Sequence, residues 1–84
     1  MELNEILQQS TGVFRRVFEN DSIVINDQTV AQDVAEWDSL SHTLMISEIE
    51  KHFGVRFKFK EVIAFKNVGD MLNTIQAKLA EQGT

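Results

Sequence analysis

The sequence predicts an all-α domain, and three observations carry that reading. Three segments repeat apolar residues on a 3–4 residue rhythm. A strong helix-opening residue, Asn67, precedes the last of them. No proline, internal repeat or low-complexity run divides the 84 residues. A chain of this length makes one domain, 1–84, near the low end of what a single core stabilises without staples. It contains no cysteine to supply any.

Leu3, Ile6, Leu7, Phe14, Val17 and Phe18 fall on one stripe, so helix one is expected from about 3 to 18, weakened but not ended by Gly12. Helical period is then lost from Asn20 to Asp38. Asn20, Asp21, Asn26 and Asp27 supply turn chemistry there, around the apolar run Ile23-Val24-Ile25. A loop of this length in a small domain is functional or anchored, and Ile23, Val24 or Ile25, with Val30 and Val34, are the expected pegs. Helix two runs from Ser39 to about His52. At about 100° per residue, Met45, Ile46, Ile49 and Phe53 share its core face, with His42 among them, while Leu40 and Leu44 project from nearly the opposite side with Ser47, Glu48 and Lys51. After Phe53-Gly54 comes a short apolar stretch, Val62-Ile63-Ala64-Phe65. The last helix opens at Asn67, with Asp70 placed to favour the helix dipole and Val68, Leu72, Ile75 and Leu79 as its stripe.

Composition narrows the function. Thirteen acids against eight bases give a net charge of −5, which opposes binding to nucleic acid, whose phosphates need a basic footprint. The charge is uneven: residues 1–50 carry a net −8 and residues 51–84 a net +3. Without cysteine there is neither a disulfide nor a thiolate metal site, which fits a reducing cytosol. The N-terminus is acidic, and no apolar run approaches the roughly 20 residues that cross a bilayer. A soluble cytoplasmic protein without membrane insertion is expected.

Asp38-Ser39-Leu40 stands where the irregular stretch gives way to helix two. A serine there is ordinarily a helix cap, and Asp38 is an alternative one. The tripeptide says little alone, but its setting does more: one helix and a long loop before it, then a helix ending near Gly54, a short apolar stretch and a helix opened by Asn67-Val68-Gly69-Asp70. In that order and spacing nearly the whole chain resembles the acyl carrier protein family, stand-alone type, including peptidyl carriers. The resemblance implies a four-helix bundle with a long first loop and a short third helix. It implies that Ser39 carries a covalent 4'-phosphopantetheine arm derived from coenzyme A, added by a separate phosphopantetheinyl transferase (holo-carrier synthase) with Mg²⁺. It makes Asp38 an aid to that transferase and Leu40 a contact for partner enzymes. The arm's own thiol bears the acyl or aminoacyl cargo, so no cysteine is needed. Partners are then the transferase and the enzymes that load or unload cargo; a monomer is expected.

Two departures from the fatty-acid carriers are visible. Those carriers follow the motif with acids on helix two that pair with basic patches on partners, whereas the matching positions here are Ser41 and Leu44. The run Lys51, Arg56, Lys58, Lys60 and Lys66, interleaved with Phe57 and Phe59, is basic where the family is commonly acidic. It reads as a solvated face or a surface for an acidic partner, ahead of single-stranded nucleic acid. Leu44, Ser47, Glu48 and Lys51 form the expected partner face, and a specialised pathway rather than housekeeping fatty-acid synthesis is expected. Phe57 is expected in the core and Phe59 outside it.

Other chemistry is weaker. Asp38, Ser39 and His42 invite a minimal esterase, but no Gly-x-Ser-x-Gly elbow or oxyanion loop accompanies them, and adjacent Asp and Ser cannot set a carboxylate behind the imidazole. His42 and His52, ten apart, lack the i, i+4 spacing of a helical zinc site. A calcium loop begun at Asp21 has Asn26 where Gly is required and Gln32 where Glu is required. No metal site and no catalytic residue is assigned. Trp37 is an anchor for the loop, with a role in holding the arm as the other reading. Ile46, Val62 and Phe65 are plain core, or part to shelter an acyl chain. An unmodified carrier-shaped interaction protein remains the alternative to carriage.

Overall fold

The computed structural model describes residues 2–34 and 37–82. Four α-helices follow in order: α1 (Leu3–Val17), α2 (Ser39–Phe53), the six-residue α3 (Phe59–Ala64) and α4 (Val68–Gln82), with no strand among the described residues. Helix α1 packs against both α2 and α4. Its stripe buries Ile6, Val13 and Phe14 fully, with Leu7 and Val17 packed partly against them. Leu3, expected in the stripe, is 40% exposed: it lies in the first turn, at the edge of an open hollow shared with Leu7 and with Leu72 and Asn73 of α4.

Helix α2 buries the four residues its periodicity named, Met45, Ile46, Ile49 and Phe53, and leaves Leu40 and Leu44 outside. It ends on Gly54 in the left-handed region at φ 69°, which glycine adopts without steric cost, with Gly54 N–H donating to the Glu50 carbonyl at 2.8 Å. Val55, just beyond, is buried and was not foreseen. In α4, Val68, Leu72 and Ile75 are buried as expected, joined by Met71, while Leu79 is only half-covered near the end of the helix.

The long loop, apart from Ala35 and Glu36, which lie outside the described residues, is anchored rather than free. Ile23, Ile25 and Val34 enter the core, Val30 is half-buried, and Val24 points out, as alternation along an extended segment requires. Arg15 Nε donates to the Ile23 carbonyl at 2.8 Å. Asn26 organises a turn: its Oδ1 accepts from Gln28 N–H at 2.8 Å, and its own N–H donates at 2.8 Å to the hydroxyl of buried Thr29. A 3₁₀ turn at Ala31–Asp33 follows, closed by Val30 N–H donating to Asp33 Oδ2 at 3.0 Å. The loop then docks on the head of α4, where Val68 and Gly69 N–H donate to the carbonyls of Thr29 and Asp27, each at 2.8 Å. Those two amides would otherwise be orphans of the helix terminus. Asn67 Oδ1 accepts from Asp70 N–H at 2.9 Å and completes the cap.

This docking leaves no room at Gly69. A Cβ there would stand 2.6 Å from the Asp27 carbonyl oxygen, a backbone atom that cannot rotate away. Gly69→Ala is therefore expected to destabilise by about 1–3 kcal/mol through overpacking, even though alanine is the better helix former. Ser10→Ala should do the reverse. Ser10 lies fully buried in α1, and its hydroxyl has no hydrogen-bond partner among the described residues, so removing the unsatisfied donor should be neutral or stabilising. Thermal unfolding of the two variants beside the parent checks both signs, and a Gly69→Ala protein as stable as the parent would contradict the close docking.

Candidate functional site

The head of α2 is built by its own sequence. Asp38 is the N-cap: its Oδ1 accepts from Ser41 N–H at 2.8 Å, and Asp38 N–H donates back to Ser41 Oγ at 2.8 Å, a reciprocal capping box. The Ser41 N–H, then the Ser41 hydroxyl, hold the Asp38 carboxyl below the usual carboxylate range. Ser39 is thus the first residue inside the helix and not its cap. This corrects the ordinary reading of Ser39 and bears out the alternative given to Asp38. Ser39 is exposed, and among the described residues no hydrogen bond engages its hydroxyl. Its carbonyl accepts from Thr43 Oγ1 at 3.2 Å, as an ordinary first-turn group.

Trp37 fixes the approach to this turn. Its ring meets Phe14 edge-on at 5.2 Å and 90°, and stacks on His42 at 5.7 Å and 16°. Indole Nε1–H donates to His42 Nδ1 at 2.9 Å, which places the imidazole proton on Nε2. Burial pushes the His42 pKa down, in keeping with the neutral acceptor that this bond requires. The loop anchor expected of Trp37 is what the structure shows. The esterase arrangement is not formed, because the accepting nitrogen of His42 faces the indole.

Beside this pair lies a cavity of about 80 Å³, lined on one side by Trp37, His42 and Met45 and on the other by Phe65, Val68 and Met71. Phe65 faces it as anticipated for a shelter, whereas Ile46 and Val62 do not line it: Ile46 is core and Val62 packs partly against it. Along α2, Leu40 and Leu44 are exposed, as is Lys51, while Ser47 and Glu48 are only half-exposed. Glu48 is drawn to Arg16 of α1 at 3.6 Å and to Lys51 at 3.8 Å. Phe57 packs against the core and meets Phe65 edge-on at 5.4 Å; Phe59 is exposed. Sequence reasoning missed the capping role of Ser41, although Asp-x-x-Ser has the spacing of a capping box, and missed the Trp37–His42 pair, although N′ and N4 about the Asp38 cap have the spacing of a hydrophobic staple. No group of three or more metal-ligating side chains occurs among the described residues.

The Trp37–His42 bond makes stability depend on pH in a stated direction. Folding lowers the His42 pKa, so the unfolded chain takes up a proton first, from about pH 6.5 downward. Stability from this contact is complete above that value and falls as pH drops toward the folded pKa. The hydrogen bond contributes about 0.5–1.5 kcal/mol. Melting temperature and Trp37 fluorescence, followed from pH 8 to 5, should fall more steeply in the parent than in His42→Gln, which cannot titrate. Superimposable pH profiles would contradict the assignment.

Comparison with known proteins agrees with this architecture. Residues 11–75 match the family described as "phosphopantetheine attachment site". The fold superposes with a TM-score of 0.86 on the solution NMR structure of a holo acyl carrier protein from Geobacter metallireducens, at 42% sequence identity, covering 92% of this chain and 88% of that one. A search of curated sequences gives no match. No helix among the described residues is long and apolar enough to cross a membrane. The chain belongs to the acyl carrier protein family: its work is carriage on a covalently attached phosphopantetheine, not catalysis.

Proposed function

We propose that Ser39 is the attachment point, and that the protein carries an acyl or aminoacyl group between enzymes of a specialised pathway in the cytoplasm, acting as a monomer. The observation that carries the reading is the idle, exposed hydroxyl at the first position of α2, left free because Asp38 and Ser41 satisfy the helix terminus between them.

The residues present fit the group. The Asp38 carboxylate is turned onto Ser41 N–H and so does not occupy the Ser39 hydroxyl. A phosphodiester on Ser39 Oγ would sit at the positive end of the α2 dipole, beside the first amides of the helix. Bound there, the arm supplies the thiol that forms the cargo thioester. Attachment joins Ser39 Oγ to the β-phosphorus of coenzyme A and breaks the bond to its adenosine bisphosphate half, which leaves as the other product; the serine proton passes to solvent through the transferase. Asp38 supports the transferase and its Mg²⁺, and Leu40, beside Ser39, packs into partners. Leu44, Ser47, Glu48 and Lys51 continue that face along α2.

The cavity beneath Trp37 and His42 bears on cargo. An apolar cavity of about 150 Å³ admits benzene, so 80 Å³ holds only a few carbon atoms unless α3 moves. The specialised pathway is supported by Ser41 and Leu44, where fatty-acid carriers place acids, and by the net positive charge of residues 51–84.

The test is an intact mass after incubation with coenzyme A, Mg²⁺ and a phosphopantetheinyl transferase. The parent should gain one phosphopantetheinyl group and Ser39→Ala none, while retaining the helical circular dichroism of the parent. A full gain on Ser39→Ala would move the attachment to another residue; no gain on the parent with several transferases would favour an unmodified interaction protein.

A further inference from the structure

We infer that α2 and α3 together present a docking surface for a partner enzyme whose apolar hollow is rimmed by acidic side chains, the reverse of the basic patch that fatty-acid carriers meet. This rests on the carrier reading and specifies the chemistry of the partner.

Four of the exposed large hydrophobic residues form two stacked i, i+4 pairs: Leu40 (73% exposed) with Leu44 (53%) on α2, and Phe59 (79%) with Ile63 (67%) on α3. Scattered apolar residues on a surface are ordinary, but exposed apolar pairs stacked along a helix make a candidate contact surface. Their placement follows from the polar contacts of the two helices. On α2, Glu48 faces α1 through Arg16, and Glu50 faces the approach to α3 by accepting from Phe57 N–H at 2.8 Å. Leu44 and Ser47 lie between those two flanks, opposite the buried Ile49. On α3, Glu61 is turned to α4 by Lys78 at 3.0 Å. Phe59 and Ile63, two residues to either side of it, lie about 160–200° round the helix, on the flank away from α4. A shallow hollow bounded by Ser47, Glu50, Lys51, Val55 and Arg56 joins the far end of α2 to the segment that leads into α3.

The charge along the segment that carries the second pair is net positive. Residues 56–66 contain Arg56, Lys58, Lys60 and Lys66, all exposed, against one acid, Glu61. That acid is already engaged by Lys78 and by Lys58 N–H at 2.7 Å. None of the four cations has a carboxylate within 4 Å among the described residues, although Glu61 acts on Lys58 through space and Glu50 of α2 lies beside the segment, accepting from Phe57 N–H. An acidic rim on the partner would therefore meet a net surplus of cations, steering the encounter, while Phe59 and the leucines supply the desolvated anchor. A protein can place acids locally against residues 56–66. An anionic bilayer offers no such local arrangement, and the chain as a whole carries −5.

The probe is a fatty-acid ketosynthase in two forms, native and with the lysines and arginines of its carrier-docking patch replaced by glutamate. Both forms are first checked against a free acyl-pantetheine thioester for equal intrinsic activity. With the acyl-loaded carrier at low ionic strength, kcat/KM should be about tenfold higher on the acidic form than on the native form, converging as salt rises. Lys60→Glu/Ile63→Glu should invert the preference, and Phe59→Ala should lower use of the acidic form; all altered side chains are exposed, so melting temperatures should stay close to the parent's. Equal use of both enzyme forms, or a preference for the native form that Lys60→Glu/Ile63→Glu leaves unchanged, would overturn the proposal. Phe59-dependent sedimentation with phosphatidylserine-containing vesicles would overturn it in favour of a membrane, and a Phe59-dependent dimer in ultracentrifugation in favour of a second copy of the chain. Arm loading is read separately by mass, so a chain that takes no arm fails the carrier reading, and one that loads but shows no preference fails only this one.

Discussion

The reciprocal cap between Asp38 and Ser41 is the interaction on which the site depends. It fixes the residue at which α2 begins, and the starting residue fixes the rotational phase of everything after it. Met45, Ile46, Ile49 and Phe53 then face α1, and Leu40 and Leu44 face solvent. It also removes the usual employment of a helix-start serine. With the terminal amide of Ser41 satisfied by Asp38, Ser39 stands one place inside the helix with an exposed hydroxyl. A cap on Ser39 itself would have turned that oxygen back onto the backbone and occupied the lone pairs that a transferase must reach.

Anchoring of the preceding chain makes the cap's position reliable. Trp37 is held between Phe14 of α1 and His42 of α2, and the loop behind it is fastened to the head of α4 by two amide–carbonyl bonds that only a glycine at position 69 permits. The site is therefore connected to all three long helices. Helix α3 is held differently. It buries no residue fully and attaches through Val62, Phe65, the Phe57–Phe65 ring contact and the Glu61–Lys78 pair. Segments with few buried contacts open at low free-energy cost, and Phe65, which follows α3 directly, lines the cavity of about 80 Å³. The least-anchored helix thus leads into one wall of that cavity.

What was legible in the sequence was what periodicity records. The faces of α2 and α4 follow from apolar spacing because burial of a stripe is what makes those helices stable. Asn67 as a cap and the exposure of Phe59 were legible for similarly local reasons. Leu3 was misplaced because a helical wheel knows angle but not how closely the neighbours pack: the hollow between the first turn of α1 and Leu72 and Asn73 of α4 leaves it partly open to solvent. Val55 and Thr29 were missed because their burial depends on where the loop and the α3 segment pass, which no local pattern encodes; Met71, three residues after Val68 and four before Ile75, was legible from the spacing and overlooked. Ser41 was seen only as an absent acid, although its distance from Asp38 was enough to mark the capping box. The Trp37–His42 pair spans the Asp38 cap from N′ to N4, the spacing of a hydrophobic staple, and becomes legible once Asp38 rather than Ser39 is taken as the cap.

A double-mutant cycle on thermal unfolding, using Asp38→Ala, Ser41→Ala and their combination with Ser39→Ala as the reference, tests the cap most directly. If Asp38 and Ser41 hold the helix terminus between them, Asp38→Ala costs about 0.5–2 kcal/mol, the pair is coupled by at least about 0.5 kcal/mol, and Ser39→Ala stays within about 0.5 kcal/mol of the parent. A Ser39→Ala loss as large as that of Asp38→Ala, with Asp38 and Ser41 additive, would make Ser39 the cap and contradict the idle hydroxyl on which the account rests.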